Sequence, residues 1–198
     1  MGVDGIVLAA GFSSRAGSHK MLLELNKTTI IERCIKGMYN ICSEIIVVGG
    51  YRVEDITRIL DKYDRVKVVF NRDFHEGMFS SVKVGLNYVK EERFFLTPGD
   101  YPLINSLVYD NMIQHNDDIT VPVYKGITGH PVLIRSRLIP QILNQSGHNN
   151  LREFINIKGF TAVNIEEPGI LIDIDTMEDY YFAAKMIDSK KSRLANSL

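Results

Sequence analysis

Residues 6–20, IVLAAGFSSRAGSHK, decide how the chain is expected to fold. They pass from an apolar, β-branched run into a stretch of small residues that carries three serines and two cations, Arg15 and Lys20. A short apolar run that ends at a glycine predicts a buried strand. Small side chains let backbone N–H groups approach a ligand closely, and aligned N–H groups suit anions. The stretch therefore predicts a first strand followed by a phosphate-binding loop.

The loop differs from the two best-known glycine-rich phosphate loops. The spacing from Gly11 to Gly17 is one residue too long for the P-loop of ATPases, and Lys20 does not directly follow the second glycine. The Gly-x-Gly-x-x-Gly fingerprint of dinucleotide-binding proteins is absent, which argues against a dehydrogenase. On composition alone, a plain turn after the first strand stays open as an alternative.

Short β-branched runs alternate with segments of helical period along the first two thirds of the chain. The expected strands are residues 6–9, 45–48, 66–70, 94–97 and 119–122, and the expected helices are residues 30–38, 53–60, 79–89 and 106–115. This alternation predicts an α/β fold: a single three-layer α/β/α domain with a mostly parallel, Rossmann-like sheet.

The pattern changes after Pro122. Residues 124–130, YKGITGH, predict a small β-hairpin excursion that leads into a strand at 131–134. Helices at 138–143, 151–157 and 177–187 and a strand at 161–165 complete the expected domain, which spans residues 1–188. Residues 189–198 are expected to form a frayed polar tail.

Composition excludes several classes of function. Lysine and arginine number 23 against 24 aspartates and glutamates, so the basic excess of nucleic-acid or anionic-membrane binding is missing. The only cysteines, Cys34 and Cys42, lie in or beside apolar stretches and predict buried thiols. Because the N-terminus shows neither a basic leader nor a long apolar run, a cytoplasmic protein is expected.

The ordered pattern of residues 8–20, LAAG-x-SSR-x-G-x-x-K, resembles the signature loop of nucleotidyltransferases that share the GT-A-like α/β fold. Among these, it is most similar to the molybdenum cofactor cytidylyltransferase branch. The resemblance implies that Arg15 and Lys20 are catalytic and stabilise charge on the leaving pyrophosphate. The nucleotide-binding residues that it implies are Leu8, Ala9, Ala10, Gly11, Ser13, Ser14, Arg15, Lys20, Asn71, Gly77, Met78 and Ser81.

The last four residues of that set come from Asn71 and the stretch EGMFSS at 76–81, which resembles the Gly-Met-x-x-Ser element of the branch. A helix N-terminus offers free N–H groups and partial positive charge to a nucleotide. The alternative is structural, with Ser80 and Ser81 capping the helix and Met78 filling the core.

Two acidic positions are the candidate metal ligands. Asp100 follows an apolar strand in TPGDYP at 97–102, which resembles the Gly-Asp-x-Pro element whose aspartate holds Mg²⁺ against the triphosphate. Asp175, in DIDTMEDY at 173–180, resembles the second ligand, although Asp173 stays open as the alternative. These acids are also typical of a helix N-terminus, where the helix dipole stabilises the negative charge of a residue such as Asp179. Mn²⁺ is the alternative ion.

The acceptor side is expected near GHPVLI at 129–134, where His130 contacts an acceptor phosphate or has a structural role in the turn. The chain departs from the usual pattern at Ala16 and Met177, and neither change removes a charge or a metal ligand. Residues 146–152 resemble the acceptor segment of relatives least, which leaves the acceptor in doubt.

The resemblance implies Mg²⁺-dependent transfer of the cytidylyl group of CTP to molybdopterin, with release of pyrophosphate. The alternatives are a guanylyltransferase or a sugar-phosphate nucleotidyltransferase of the same fold, and a non-catalytic nucleotide-binding maturation partner of a molybdoenzyme. The expected partners are the nucleoside triphosphate and a phosphate-bearing acceptor, with a molybdoenzyme apoprotein as a further partner.

Overall fold

The fold is built on one mixed sheet, seen in a computed structural model that describes residues 2–11, 20–144 and 150–195, with side chains up to residue 189. The strands are β1 (Val3–Ala9), β2 (Ile45–Gly49), β3 (Val66–Phe70), β4 (Arg93–Pro98), β5 (Ile119–Tyr124), β6 (Ile127–Thr128), β7 (Val132–Arg135) and β8 (Thr161–Asn164). Their order is β3-β2-β1-β4-β7-β5-β6, and β8 pairs with β5. The predicted α/β domain with its mostly parallel sheet is confirmed.

Helices cover both faces of this sheet. They are α1 (Ile30–Met38), α2 (Val53–Leu60), α3 (Met78–Leu86), α4 (Ser106–Ile113), α5 (Ile139–Leu143), α6 (Leu151–Lys158) and α7 (Met177–Ala195). On β1, Val7 packs into the core shared with α1, α2, α4 and α7, whereas Ile6 and Leu8 pack into the core shared with α3, α5 and α6. This alternation is the two-residue period of a strand that is buried on both faces.

Strand β7 runs antiparallel between β4 and β5, a direction that the sequence pattern did not specify. The cause is the predicted hairpin, in which β6 pairs antiparallel with β5 and the chain reverses at Lys125 and Gly126. Both residues have positive φ, 50° and 81°, as a tight hairpin turn with a right-handed twist requires. After the hairpin the chain runs back as β7, which pairs with β5 on one side and with β4 on the other.

The C-terminal helix is longer than predicted. Helix α7 ends at Ala195, so it extends beyond the predicted end at residue 187 into the segment expected as a polar tail. The run from Met177 to Ala195 contains neither glycine nor proline to interrupt the helix. Within the described ranges, none of the helices is both long and apolar enough to cross a membrane.

The carboxyl ends of β1 and β4 lie side by side. Leu8 pairs with Pro98 in the parallel register, and the N–H of Gly99 donates to the carbonyl oxygen of Leu8 over 2.8 Å. A Cβ at Gly99 would lie 3.1 Å from that oxygen, so the close approach favours glycine. As a result, the segments that follow the two strands meet at one edge of the sheet, where ligands of open α/β sheets bind.

Candidate active site

Lys20 joins the two acidic residues that the sequence singled out as metal ligands. Its Nζ lies 2.7 Å from Asp100 Oδ2 and 2.9 Å from Asp175 Oδ1. Burial by itself would lower the pKa of Lys20, but the adjacent carboxylates outweigh it and raise the pKa. The ammonium therefore stays charged, and the fold places three of the predicted site residues in direct contact.

A short turn holds Lys20 in this position. Residues Lys20–Leu22 form one turn of 3₁₀ helix, and Met21 is buried with 3% of its surface exposed. Its sulfur packs near Gly99, since a Cβ added there would lie 3.3 Å from it. Met21 thus anchors the end of the first loop beside Asp100.

Asp100 has an unusual environment for a carboxylate. Its Oδ2 accepts from Lys20, but its Oδ1 is buried and has no hydrogen-bond partner among the described residues. A buried polar atom without a partner is costly unless a ligand satisfies it. An oxygen donor of this kind, with Asp175 alongside, fits a hard divalent cation.

The protein offers few ligands to such an ion. Over residues 2–11, 20–144 and 150–189, no cluster of three or more His, Cys, Asp or Glu side chains is arranged for metal binding. Mg²⁺ is commonly held by one or two carboxylates and completed by substrate phosphates and water. The pair Asp100 and Asp175 fits that mode of binding.

Asp179 fixes the loop that carries Asp175. Its Oδ2 accepts from the backbone N–H groups of Asp175, at 3.1 Å, and Thr176, at 2.8 Å, and from the Thr176 hydroxyl. The hydrogen bonds from Thr176 lower the pKa of Asp179. This arrangement caps α7, as the structural alternative for Asp179 expected, and it also sets the position of Asp175.

Asp173 differs from Asp175 in its surroundings. Burial first, and then the negative charges of Asp100, Asp175 and Asp179, raise the pKa of Asp173. Asp175, and not Asp173, contacts the same Lys20 ammonium as Asp100. The geometry therefore favours Asp175 as the second ligand of a divalent ion.

Asn71 organises the turn before α3. Its side chain donates to Ser80 Oγ at 2.8 Å and to Ser81 Oγ at 2.9 Å, and its Oδ1 accepts from the N–H of Asp73 at 3.0 Å. Asn71 and Ser81 are both buried. These groups hold the start of α3 in place. Their effect on a ligand bound there would therefore be indirect, through the position of the helix.

The start of α3 itself faces outward. Gly77 precedes the helix with φ 99° and ψ 177°, a conformation available almost only to glycine. Met78, the first residue of the helix, is 63% exposed. The alternative in which Met78 fills the core is therefore wrong, and the helix N-terminus is open for a ligand.

The predicted residues on the first loop divide into two groups. Leu8, Ala9 and Ala10 are buried at the end of β1, and Gly11 is exposed beyond them. Ser13, Ser14 and Arg15 lie outside the described residues, as do residues 145–149 of the segment expected near the acceptor.

A pocket of about 640 Å³ opens beside this centre. Its lining includes the predicted site residues Leu8, Met78 and His130, together with Thr128 and Arg152. Most of its other walls are apolar, formed by Phe79, Val82, Leu96, Pro98, Val121, Ile127, Val132, Leu151, Ile155, Phe160, Ile170 and Leu171. Tyr101, the residue that follows Asp100, is also part of the lining.

His130 lies in this pocket with its ring against Tyr101, at 4.8 Å between centroids in an edge-to-face contact. Burial, and then the charge of Arg152, lower the pKa of His130 to about 4. Its Nδ1 is enclosed and has no hydrogen-bond partner among the described residues. The imidazole is therefore neutral near pH 7 and available as a hydrogen-bonding group.

Sequence reasoning did not assign Tyr101 or Arg152 to the site. Tyr101 stands inside the quoted TPGDYP motif, and its position beside Asp100 was a usable signal. Arg152 is the second residue of α6, and the packing of α6 against the sheet brings it to the pocket.

These features define a class of protein. Lys20, Asp100 and Asp175 meet beyond the carboxyl ends of β1 and β4, and this arrangement fits the class of nucleotidyltransferases. The chain belongs to the MobA-like NTP transferase family, whose sequence model matches residues 5–163.

Individual relatives agree with this assignment. The chain is 33% identical to the molybdenum cofactor cytidylyltransferase of Escherichia coli strain K12 over 182 residues, which cover 91% of this chain and 95% of the relative. It is 25% identical to a probable molybdenum cofactor guanylyltransferase of Methanosarcina mazei, over 89% of this chain and 87% of that one. A Mycobacterium tuberculosis protein solved in complex with manganese shares the fold, with a TM-score of 0.74 at 20% identity, over 93% of this chain and 99% of that one.

Proposed function

We propose that the protein transfers the cytidylyl group of CTP to the phosphate of molybdopterin and releases pyrophosphate, with Mg²⁺ as the divalent ion and Mn²⁺ as its substitute. The observation that carries this proposal is the meeting of Lys20, Asp100 and Asp175 next to the pocket lined by His130. The 33% identity to a cytidylyltransferase supports the choice of CTP over GTP.

The reaction needs no nucleophile from the protein. An oxygen of the acceptor phosphate attacks the α-phosphorus in line, a new phosphorus–oxygen bond forms, and the bond to the β-phosphate oxygen breaks. Rate acceleration then depends on alignment and on stabilising negative charge. Lys20 supplies one positive charge, and Arg15, which we assign from the sequence motif, supplies a second to the pyrophosphate oxygens.

Asp100 and Asp175 are the residues that would hold the divalent ion, which supplies positive charge to the phosphate oxygens when bound. The buried, unpartnered Oδ1 of Asp100 supports this role, and so does the manganese complex of the Mycobacterium tuberculosis neighbour. Asp179 keeps Asp175 in position, and the backbone from Ala9 to Ser14, with the start of α3, would orient the base and ribose.

The pocket supports an acceptor with a bulky, weakly hydrated body. Its walls are mostly apolar, and the polar side chains among the described lining residues include His130 and Arg152. A polyhydroxylated sugar needs a hydrogen-bonding partner for most of its hydroxyls, because each one that is buried without a partner costs about 1–3 kcal/mol. A sugar phosphate therefore fits this pocket poorly, whereas Arg152 suits the phosphate of an acceptor.

The test is pyrophosphate release from each of CTP, GTP, ATP and UTP, with Mg²⁺ or Mn²⁺, in the presence and absence of molybdopterin. Release that occurs with CTP and requires molybdopterin is the expected result. Release with GTP instead would assign the guanylyl reaction. If folded protein binds CTP and still releases no pyrophosphate with any nucleotide, the non-catalytic alternative would replace the proposal.

A further inference from the structure

A single ammonium group pairs with both carboxylates that we assign to the divalent ion. Lys20 Nζ lies within 3 Å of Asp100 Oδ2 and Asp175 Oδ1, at 2.7 and 2.9 Å. Lys20 is only 9% exposed, so solvent screens its contact with the mostly buried Asp100 weakly, whereas the Asp175 side chain is 48% exposed. A divalent ion draws on the same carboxylates, and the ammonium cannot stay within 3 Å of both while the ion occupies the space between them.

We propose that Lys20 and the divalent ion compete for Asp100 and Asp175. The protein alone then binds the ion weakly, and the ion enters together with the nucleotide, whose phosphates accept the displaced ammonium. This inference rests on the metal assignment of the proposed function. It adds that Lys20 is an internal counter-ion before catalysis as well as a phosphate ligand during it.

The surroundings of the pair explain why the exchange needs the nucleotide. Asp100 is mostly buried, with 16% of its side chain exposed, and a buried carboxylate without a counter-charge is destabilised. Lys20 removes that cost, so an ion that arrives alone must first displace a favourable ion pair. When the nucleotide arrives with the ion, its phosphates offer Lys20 a new partner, and no charge is left unpaired.

The test measures Mn²⁺ binding to the nucleotide-free protein through the electron paramagnetic resonance signal of free Mn²⁺. Lys20→Met removes the competing charge at nearly constant side-chain length, and it should lower the Kd for Mn²⁺ by roughly tenfold or more, because an ammonium at this distance opposes the ion strongly. Lys36→Met is the matched control, since it removes the same charge from an exposed position on α1. Its Kd should equal that of the wild-type protein.

An unchanged or higher Kd for Lys20→Met would overturn the competition. An equal gain in Lys36→Met would overturn it too, because net charge alone would then explain the effect. Lys20→Arg keeps the positive charge and provides a second variant should Lys20→Met fold poorly. Its Kd should stay close to the wild-type value, and a gain like that expected of Lys20→Met would contradict the proposal.

The binding measurement requires no turnover, so its outcome is separable from the proposed function. Competition observed in a protein that releases no pyrophosphate would leave this inference standing and remove the transferase proposal. Identical Mn²⁺ binding by all variants of an active enzyme would remove only the competition.

Discussion

The backbone N–H of Ile174 donates to the carbonyl oxygen of Asp100 over 3.0 Å. This bond ties the residue after β4 and Gly99 to the segment just before α7, and it brings together carboxylates that are distant in the sequence. Because Ile174 and Asp100 are joined through their backbones, either carboxylate can be replaced without breaking the link. Single substitutions of the proposed metal ligands should therefore report on chemistry more than on folding.

Replacing Asp100 by Asn should reduce kcat by roughly 100-fold or more, since the neutral amide binds a divalent ion far less well and charge stabilisation is lost. The melting temperature should change little, because the amide oxygen still accepts from Lys20. Steady-state pyrophosphate release and a thermal melt provide the two readouts. Near-normal turnover in this variant would remove Asp100 from the metal site.

Replacing Asp179 by Asn should weaken metal use without removing a ligand. The change weakens the cap on α7, at a cost of about 1 kcal/mol, and loosens the loop that carries Asp175. Activity titrated against Mg²⁺ should show a raised requirement and recover at high Mg²⁺. Glu178→Gln, a neighbouring exposed acid, is the control and should behave like the wild-type protein. Equal Mg²⁺ requirements in both variants would count against a positioning role.

Replacing Gly77 by Ala should lower stability by about 1–3 kcal/mol, because φ 99° with ψ 177° strains any residue with a Cβ. The cost is conformational only, since nothing lies within 4 Å of an added Cβ. The KM for CTP should also rise as the start of α3 moves.

Gly159→Ala is the matched control for this prediction. Gly159 has φ 82° and ψ 159°, equally open surroundings and a position at the end of α6. It should lose similar stability in urea unfolding and keep the wild-type KM. A raised KM in both variants would mean that general destabilisation, and not the nucleotide site, causes the effect.

The neutral state of His130 predicts a pH dependence of stability. Its pKa is about 4 in the folded protein and near 6.5 in the unfolded chain, so above pH 6.5 neither state is protonated. As the pH falls from 6.5 towards 4, His130 becomes protonated in the unfolded chain but stays neutral in the folded protein. The free energy of unfolding should therefore fall by roughly 1–3 kcal/mol across this window.

Urea unfolding at several pH values checks this prediction by comparing the wild-type protein with His130→Gln. The variant has no titrating group at this position, so its stability should decline less between pH 6.5 and 4. Parallel curves for the two proteins would show that His130 does not titrate as its enclosure implies.

Much of the fold was predictable because the early strands are buried on both faces and separated by amphipathic helices. The position of Asp100 was also predictable, because an acidic residue after a central parallel strand lies at the ligand-binding edge of the sheet. The proximity of Asp175 rested on resemblance, and the contact through Lys20 confirms that the three side chains meet.

Other features depend on packing that local sequence does not encode. Nothing in residues 131–134 distinguishes a parallel from an antiparallel strand, because a strand buried on both faces looks alike in either direction. Met78 is as apolar as a core residue, and its exposure follows from the orientation of α3. The buried amide of Asn71 and the ring contact of His130 with Tyr101 also require the folded chain.

The antiparallel pairing of β7 with β4 divides the sheet into two parts that carry different residues of the candidate site. Strands β1 to β4 carry the end of the first loop and Asp100, whereas β5 to β8 and α6 supply the pocket wall with Thr128, His130 and Arg152. Under the proposed function, substitutions beyond the β4–β7 boundary would change the acceptor side of the pocket while the strands that support Asp100 keep their register. In evolutionary terms, this boundary allows a lineage to change what it modifies without rebuilding how it activates the nucleotide.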